Sequence, residues 1–417
     1  MKNLISLFAV LFLVGNLFAQ EADKSAPAHK TAFPLAAEGV PLVPLDVKPT
    51  KEQINRSIGQ ATRYLLEKQN PKGTWGSARN TKRLNIYAPE SSQDGYLCGT
   101  TALGLAALLE TEAALKKENA TLKADEIGID PDVLAKAIDK AEQWTLDNLP
   151  KLRRSSADVL YNIWGHGYGL QALVRMLDRY PNDADRCEKI RAAMKVQIEF
   201  IERFECLDGG WCYYDFDHMT KKTAGSPCCF VSAMVLLPLW EAKQHGVEVP
   251  QKIVDRALAS NRRQRYPDFS YAYGEYLRLS PMSGINRPPG SLARSQACNL
   301  VARHWGDKDM TDEVLQNWLN RMFSRNGWLD IGRKRPVPHE SYAQVAGYFY
   351  YYGVYYSAFC IEELPEEKQG PYQEHLASLL IDRQGTDGSW FDYPLYDYGH
   401  AYATGYGLMA LLRAVPN

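Results

Sequence analysis

The sequence has no excess of charge of either sign. Its 417 residues carry 48 Lys and Arg against 49 Asp and Glu, a formal net charge of -1. A protein that binds nucleic acids or acidic membranes over its whole surface carries a basic excess. The balance therefore argues against both classes of binder, and no nucleic-acid partner is expected.

Cysteine pairs with recognisable spacing are also missing. The eight cysteines include no CxxC pair, and their spacing does not resemble a small disulfide framework. Cys206 and Cys212 flank a Gly-Gly turn and could form a disulfide. We expect most of the cysteines to be small core residues.

The N-terminus carries the clearest local signal, a short apolar run. Lys2 precedes the apolar residues Leu4 to Ala19, a run that is short for a membrane span. A basic start, a short apolar stretch and a small residue at the cut predict a signal peptide over residues 1–19. Residues 20–50 are rich in Ala, Pro and Lys and are interpreted as a flexible leader. The protein is predicted to be exported, periplasmic or secreted, with no stable membrane span after processing.

Alternating strand patterns of useful length are absent, and helical periodicity dominates from residue 51 to residue 417. Six amphipathic helices are predicted, each with apolar residues on one face. They cover residues 52–69, 131–149, 185–204, 249–264, 311–324 and 373–383.

Six further helices are apolar nearly all round and alternate with the amphipathic ones. They cover residues 95–110, 161–177, 226–244, 291–305, 341–362 and 400–414. A helix that is apolar on every side must be buried on every side. The pattern therefore predicts an all-α double ring, an α6/α6 toroid of six helical hairpins in one domain, with the apolar helices inside.

The turns from outer to inner helices share a pattern. Residues 69–75 and 384–390 both read Q-x-x-x-G-x-W, residues 205–211 have Glu in the first position, and Gly327-Trp328 is interpreted as a shortened version. The Gln or Glu can reach backbone groups that the helix end leaves unpaired. The Gly permits the turn, and the Trp is predicted to fold back over the hairpin.

These turn motifs, with Asp-Gly-Gly-Trp at 208–211 and Thr-Gly-Tyr-Gly-Leu-Met-Ala-Leu-Leu at 404–412, resemble the repeats of the terpenoid (squalene) cyclase and protein prenyltransferase superfamily. The resemblance covers the chain from about residue 51 to the C-terminus. It implies an α/α toroid with a central cavity, but fold does not fix activity.

Polar residues are expected to collect at one mouth of such a ring, where the N-termini of all inner helices meet. The predicted acid/base or binding residues are His400, Asp397, His339, His166 and Asp215. The predicted substrate-binding residues are Trp164, Tyr396, Arg333 and Arg335. A surface role or a satisfied polar role remains the alternative for each histidine.

The motifs that two reactions of this superfamily require are incomplete in this sequence. The cyclase acid motif Asp-x-Asp-Asp has its nearest counterpart in Asp215-Phe-Asp217-His218, which lacks the last Asp. The prenyltransferases bind zinc through Asp, Cys and His, and here Asp94, Cys98 and His400 would be an unorthodox set. A zinc site formed by these three residues is kept as an alternative.

A third chemistry is polysaccharide hydrolysis or β-elimination. It needs carboxylate or His acid/base groups, Tyr, basic groups against uronates and aromatic platforms. The predicted mouth offers each residue type, including the basic loop 332–335 before His339. We therefore predict a small-molecule, lipid or glycan ligand in the central cavity, with a polysaccharide lyase or hydrolase as the alternative and a cyclase-like or prenyltransferase-like enzyme as the second.

Overall fold

The computed structural model describes residues 39–77, 92–117, 121–216, 222–394 and 397–415. Within these ranges the chain forms twelve long helices and two helices of four residues, α3 (Ala124–Ile127) and α11 (Gly327–Asp330), with isolated bridges in place of strands. None of the helices found there combines the length and the hydropathy that crossing a bilayer requires. The signal peptide predicted for residues 1–19 lies outside the described residues.

Six long helices have one buried face and form the outer layer. They are α1 (Lys51–Lys68), α4 (Pro131–Asn148), α6 (Ala184–Arg203), α8 (Gln251–Gln264), α10 (Asp312–Ser324) and α13 (Glu366–Arg383). The other six are buried almost all round and form the inner layer. They are α2 (Gln93–Lys116), α5 (Asn162–Arg179), α7 (Cys229–Gln244), α9 (Pro288–His304), α12 (Phe349–Glu362) and α14 (Gly399–Leu412).

The inner helices form a closed ring, because each packs against the next in chain order and α14 returns to pack against α2. Glycines allow several of these helices to approach closely. A Cβ placed on Gly405 of α14 would lie 3.0 Å from the Leu103 carbonyl oxygen of α2, and one on Gly353 of α12 would lie 2.8 Å from the Ala293 Cβ of α9. The predicted α6/α6 toroid is confirmed.

Three helix boundaries differ clearly from the predictions. The first inner helix ends at Lys116 and not at Glu110. The sixth outer helix begins at Glu366 and not at Gln373, with acidic residues in its first turn, where the helix dipole favours them. The fifth inner helix begins at Phe349 and not at Ser341. Residues before Phe349 form a loop in which the Ser341 hydroxyl bonds to both the N–H and the carbonyl of Val345.

The turn motif has the same geometry in three hairpins. The indole N–H of Trp75, Trp211 and Trp390 donates to the carbonyl ten residues earlier, at 2.8 Å in every case. All three indoles are buried. Gly73, Gly209 and Gly388 precede them with φ of 90°, 87° and 85°. The predicted fold-back of the Trp is therefore confirmed.

Each of these glycines also abuts the outer helix of the following hairpin. A Cβ on Gly73 would lie 2.5 Å from the Lys140 carbonyl oxygen of α4, and one on Gly388 would lie 2.4 Å from the Gln60 carbonyl oxygen of α1. The Gln384 side-chain amide donates to the Ser57 carbonyl oxygen of α1 at 2.9 Å. The motif thus joins neighbouring hairpins, and its last copy closes the ring.

The fourth hairpin carries a version of this turn that the sequence pattern did not identify. Tyr266 N donates to the Ser270 carbonyl oxygen at 2.8 Å, as Asn70 N does to Thr74 at 2.7 Å. Phe269 takes the glycine position with φ of 62° and Tyr271 replaces the Trp. The prediction for Gly327-Trp328 was wrong, because this dipeptide begins the short helix α11 and its indole stays partly exposed.

Tyrosines fill the middle of the ring in the described part of the chain. They are Tyr168, Tyr352, Tyr355, Tyr356 and Tyr406, all of which are buried. The hydroxyls of Tyr168 and Tyr406 are hydrogen-bonded, and the rings of Tyr352 and Tyr356 lie 4.6 Å apart. The axis of the toroid is therefore packed below its mouth.

Ion pairs join the C-terminal ends of five inner helices on the opposite face. Arg175 reaches Glu110 at 3.1 Å and Glu241 at 2.6 Å. Arg413 pairs with Glu110 and, at 3.1 Å, with Glu362. The C-terminal end of a helix dipole is negative. The two arginines therefore stabilise these helix ends as well as pairing with the carboxylates.

The segment before α1 contacts the outer layer. Val43 N donates to the Ser324 hydroxyl of α10, and Lys48 pairs with Glu374 of α13 at 2.8 Å. The contacts begin before residue 51, within the leader predicted for residues 20–50. The part of this leader before residue 39 lies outside the described residues.

Candidate functional site

The longer connections lie on the face where the inner helices begin. Loops from outer to inner helices, such as 265–287 and 325–348, contrast with inner-to-outer connections such as 180–183 and 363–365. Loops on a rigid scaffold are where binding residues concentrate. This face, with the inner-helix N-termini at its centre, is called the mouth.

Aromatic rings in mutual contact encircle the mouth. In order around the ring they are Tyr96, Tyr161, Tyr213, Phe230, Phe349, Tyr348, Tyr393 and Tyr398, which packs back on Tyr96. Successive ring centroids lie 4.9 Å apart for Tyr96 and Tyr161 and 5.2 Å for Tyr348 and Tyr393. We call this set the aromatic belt.

Part of the belt remains open to solvent. Tyr96, Tyr213 and Tyr348 are partly exposed, as are Trp164 and Tyr402 next to them. Trp164 stacks on Phe230 with centroids 6.2 Å apart. The prediction that Trp164 lies at the mouth agrees with this position. Its predicted partner Tyr396 lies outside the described residues.

A buried carboxyl group lies beside the belt and was not predicted. Asp392 accepts hydrogen bonds from the Tyr402 hydroxyl and, at 3.2 Å, from Tyr351 N. Burial raises the pKa of Asp392 to about 7, although the bonds from Tyr402 and Tyr351 and the charge of Arg333 act in the opposite direction. The sequence signal was its place two residues after the motif Trp390, in the loop that enters α14.

Tyr402 connects this carboxyl group to the mouth. Its ring is partly exposed, whereas Asp392 is fully buried. Burial and the neighbouring Asp392 hold the pKa of Tyr402 well above its usual range, so the phenol keeps its proton. The pair can hold and move a proton between the interior and a ligand at the mouth.

His166 does not point into the mouth as predicted. Its Nδ1 lies 2.8 Å from the Gln197 side-chain oxygen, and its ring stacks on Phe200 of α6, 4.7 Å away. The side chain is fully buried between α5 and the outer layer. Its place on the outward side of α5 therefore makes it a packing residue.

We expect His166 to stay neutral down to about pH 5 in the folded protein. Burial lowers its pKa to about 4, from an ordinary value of 6.5. Between these two pKa values only the unfolded chain binds the proton. The contribution of His166 to folding stability therefore rises with pH over this interval and reaches its full value above pH 6.5. A pH titration followed by NMR measures this, and His166 ring signals that shift with a midpoint near pH 6.5 would contradict the expectation.

Asp215 is also occupied by structural contacts. It is buried, pairs with Arg154 at 3.1 Å, and accepts hydrogen bonds from the backbone N–H groups of Ala224 and Gly225 at 3.1 Å. These bonds tie together two loops of the mouth face. Because its oxygens are committed to them, Asp215 is poorly placed to act as an acid, while Asp217 and His218 lie outside the described residues.

His400 lies in the joint between the sixth and first hairpins. It is half-buried, stacks on Phe391 at 4.2 Å, and its Nδ1 is 2.9 Å from the Ser389 hydroxyl, which donates to Asp387. Burial lowers the pKa of His400. Asp397 is exposed three residues earlier, and partial burial still raises its pKa.

The structure does not bring Asp94, Cys98 and His400 together as metal ligands. Across the described ranges, no group of three His, Cys, Asp or Glu side chains could hold a metal ion. Cys98 is buried against α5, where its Cβ would lie 3.0 Å from a Cβ on Gly165. Burial and Asp94 raise the pKa of Cys98 to about 12.

The other predicted residues lie in the loop before α12. His339 packs edge-on against Tyr273 at 5.4 Å, with its Nδ1 2.7 Å from the Gln344 carbonyl oxygen, and burial lowers its pKa. Arg333 pairs with Asp330 at 2.5 Å, and its guanidinium lies 5.4 Å from the centre of the Tyr350 ring. Arg335 is exposed and donates to the Ile331 carbonyl oxygen. Through Tyr273, which packs on Phe230 and Phe349, His339 is connected to the aromatic belt.

No protein-family model matches the chain, and no curated protein matches it in sequence. Solved structures with similar folds include the GH76A α-1,6-mannanase from Salegentibacter sp. HEL1_6, with 12% identity and a TM-score of 0.43 over 86% of this chain and 98% of that chain. A family 76 glycoside hydrolase from a bovine Bacteroides thetaiotaomicron strain has 10% identity and a TM-score of 0.49, over 86% and 78%. This likeness concerns the helical architecture and assigns no activity.

Proposed function

We propose that the mouth of the toroid binds a carbohydrate. The observation that carries this proposal is the set of partly exposed rings at the mouth, which are those of Tyr96, Trp164, Tyr213, Tyr348 and Tyr402. Aromatic rings with a polar group offer a flat apolar face for a sugar ring and a hydroxyl or N–H for its oxygens. The predicted signal peptide would bring the protein to a compartment where glycans are available.

The packing below the belt favours a sugar over a lipid. A long acyl or prenyl chain needs a deep apolar tunnel, whereas tyrosines such as Tyr168 and Tyr406 fill the axis of the described ring. A glycan can lie across a shallow mouth with one or two rings stacked on the belt.

Trp164→Ala is expected to weaken glycan binding about tenfold, because one stacking platform is lost. Binding can be measured by affinity electrophoresis against a panel of neutral and acidic polysaccharides, followed by calorimetry with the best ligand. Trp144→Ala is the matched control, since Trp144 is also half-buried but lies on outer helix α4. Equal loss in both variants would argue against the mouth as the binding site.

Acid–base cleavage of the bound glycan is the second candidate, favoured by Asp392 and Tyr402. A carboxyl group with a pKa of about 7 can hold a proton near neutral pH. The Tyr402 hydroxyl would give its proton to the departing sugar oxygen and regain one from Asp392, while a water molecule adds to the anomeric carbon and its released proton restores the Asp392 carboxyl group. If cleavage occurs, Tyr402→Phe should reduce kcat by roughly 10²-fold or more while KM changes little. The rate at which reducing ends are released from the bound polysaccharide measures both constants.

The cyclase-like and prenyltransferase-like alternatives have less support from the geometry. Asp215, the first residue of the incomplete acid motif, is held by Arg154 and two backbone N–H groups. The set of Asp94, Cys98 and His400 forms no metal-ligating group within the described residues. The resemblance to that superfamily therefore rests on the turn motifs, which here join hairpins.

A further inference from the structure

We propose that two loops at the rim of the mouth dock the protein onto an anionic lipid surface. Five apolar or aromatic side chains project from these loops, and they form what we call the rim patch. They are Tyr276, Leu279, Met282, Val337 and Tyr342, with exposed fractions of 63%, 86%, 72%, 44% and 84%. Exposed large apolar side chains grouped in this way mark an interaction site.

The two loops form one surface. The Gln344 side-chain oxygen accepts hydrogen bonds from Ile285 N at 3.1 Å and from the Ser283 hydroxyl at 3.4 Å. Both loops lead from an outer helix into an inner one, so they lie on the mouth face. The two loops that carry the rim patch are therefore joined to each other on the mouth face.

Basic side chains flank the rim patch. Arg287, Lys334 and Arg335 are exposed, and no ion pair is formed by any of them within the described part of the chain. Three of the four acidic residues of these loops are paired with arginines, which leaves Glu340 exposed; the pairs are Glu275 with Arg263 and Arg278, Asp268 with Arg321, and Asp330 with Arg333. The free charge beside the patch is thus mainly positive.

The second loop, residues 325–348, holds three non-glycine residues in an unfavourable backbone conformation. Lys334, His339 and Gln344 have φ of 65°, 67° and 54°, in the left-handed region that non-glycine residues rarely adopt. Such conformations persist where the surrounding structure holds them, and they concentrate at binding sites. Here they hold the loop that presents Val337 and Tyr342.

A lipid surface fits this composition better than a protein partner does. Apolar tips flanked by unpaired cations match an interface in which side chains enter the acyl boundary while arginine and lysine stay among anionic headgroups. The centre of a protein interface is instead depleted of charged residues. The whole-chain charge of -1 does not conflict with this, because docking depends on local charge.

Vesicle co-sedimentation tests the proposal with the full chain. Wild type should sediment with vesicles of equal parts phosphatidylglycerol and phosphatidylcholine, and bind those of phosphatidylcholine alone much more weakly. Leu279→Asp with Met282→Asp should reduce this binding by about a hundredfold, because two inserted side chains are lost. Arg287→Gln with Arg335→Gln should reduce it by roughly tenfold or more and flatten its salt dependence.

Val133→Asp is the matched control. Val133 is 47% exposed near the start of outer helix α4, on the face opposite the mouth, and this variant should bind as wild type does. Circular dichroism verifies that each variant folds. Equal binding to neutral vesicles, or undiminished binding by the double Asp variant, would overturn the proposal. A wild-type dimer that the double Asp variant converts to a monomer, without any vesicle binding, would identify a second copy as the occupant instead.

Discussion

Gly388→Ala should destabilise the protein far more than Gly306→Ala, although both glycines have a φ of 85°. At Gly306 nothing in the described structure lies within 4 Å of the added Cβ, so the cost is the left-handed backbone alone, about 1–2 kcal/mol. At Gly388 the Cβ would lie 2.4 Å from the Gln60 carbonyl oxygen of α1. Separating these backbones should cost a further ~1–3 kcal/mol.

Urea denaturation of the two variants measures this difference directly, since the backbone strain cancels between them. A total loss of several kcal/mol is a large part of the 5–15 kcal/mol typical of folded domains. Gly370→Ala is a second control, because Gly370 lies in helix α13 with open space around it and Ala favours a helix. If Gly388→Ala and Gly306→Ala lose the same stability, the joint between the sixth and first hairpins is not rigidly packed.

Asp392 should make the folded protein less stable as pH rises from about 4 to about 7. Its pKa is 3.8 ordinarily and about 7 in the folded state, so over this interval only the folded protein keeps the proton. Stability therefore falls with rising pH until the folded-state pKa is passed, and is constant above it. The shift corresponds to a loss on the order of 4 kcal/mol.

Two variants distinguish this carboxyl group from others. Asp392→Asn should remove the slope, whatever its effect on stability at a single pH. Tyr402→Phe should extend the slope to higher pH, because the hydrogen bond from Tyr402 lowers the pKa of Asp392. Asp382→Asn changes an exposed carboxyl group and should leave the slope as in wild type. An unchanged slope in Asp392→Asn would show that another group is responsible.

The ring could be predicted from the sequence because its signals are local or repeated. One-sided apolar patterns mark the outer helices, all-round apolar patterns mark the inner ones, and the turn motif recurs. The fourth turn escaped because Phe269 and Tyr271 replace the Gly and Trp while keeping the same hydrogen bonds. A pattern of residue types cannot detect a backbone geometry that different residues adopt.

The candidate site was predicted less well, since position along a helix does not give the direction of a side chain. His166 is near the start of an inner helix, as predicted, but its ring faces the outer layer. Asp392 looked like one more polar residue in a turn. Its burial and its bond from Tyr351 N depend on how the sixth hairpin packs against the fifth, whereas its bond from Tyr402 lies within the sixth.

Helix periodicity and turn residues act over short distances, and they were sufficient to predict the toroid, the order of its layers and the mouth at which the inner helices begin. The side chains around the mouth, the buried carboxyl group there and the exposed apolar side chains were set by the tertiary packing. Burial and charge at these points come from contacts between residues of different hairpins, such as that of Tyr351 with Asp392. Such contacts leave no periodic trace in the order of the residues.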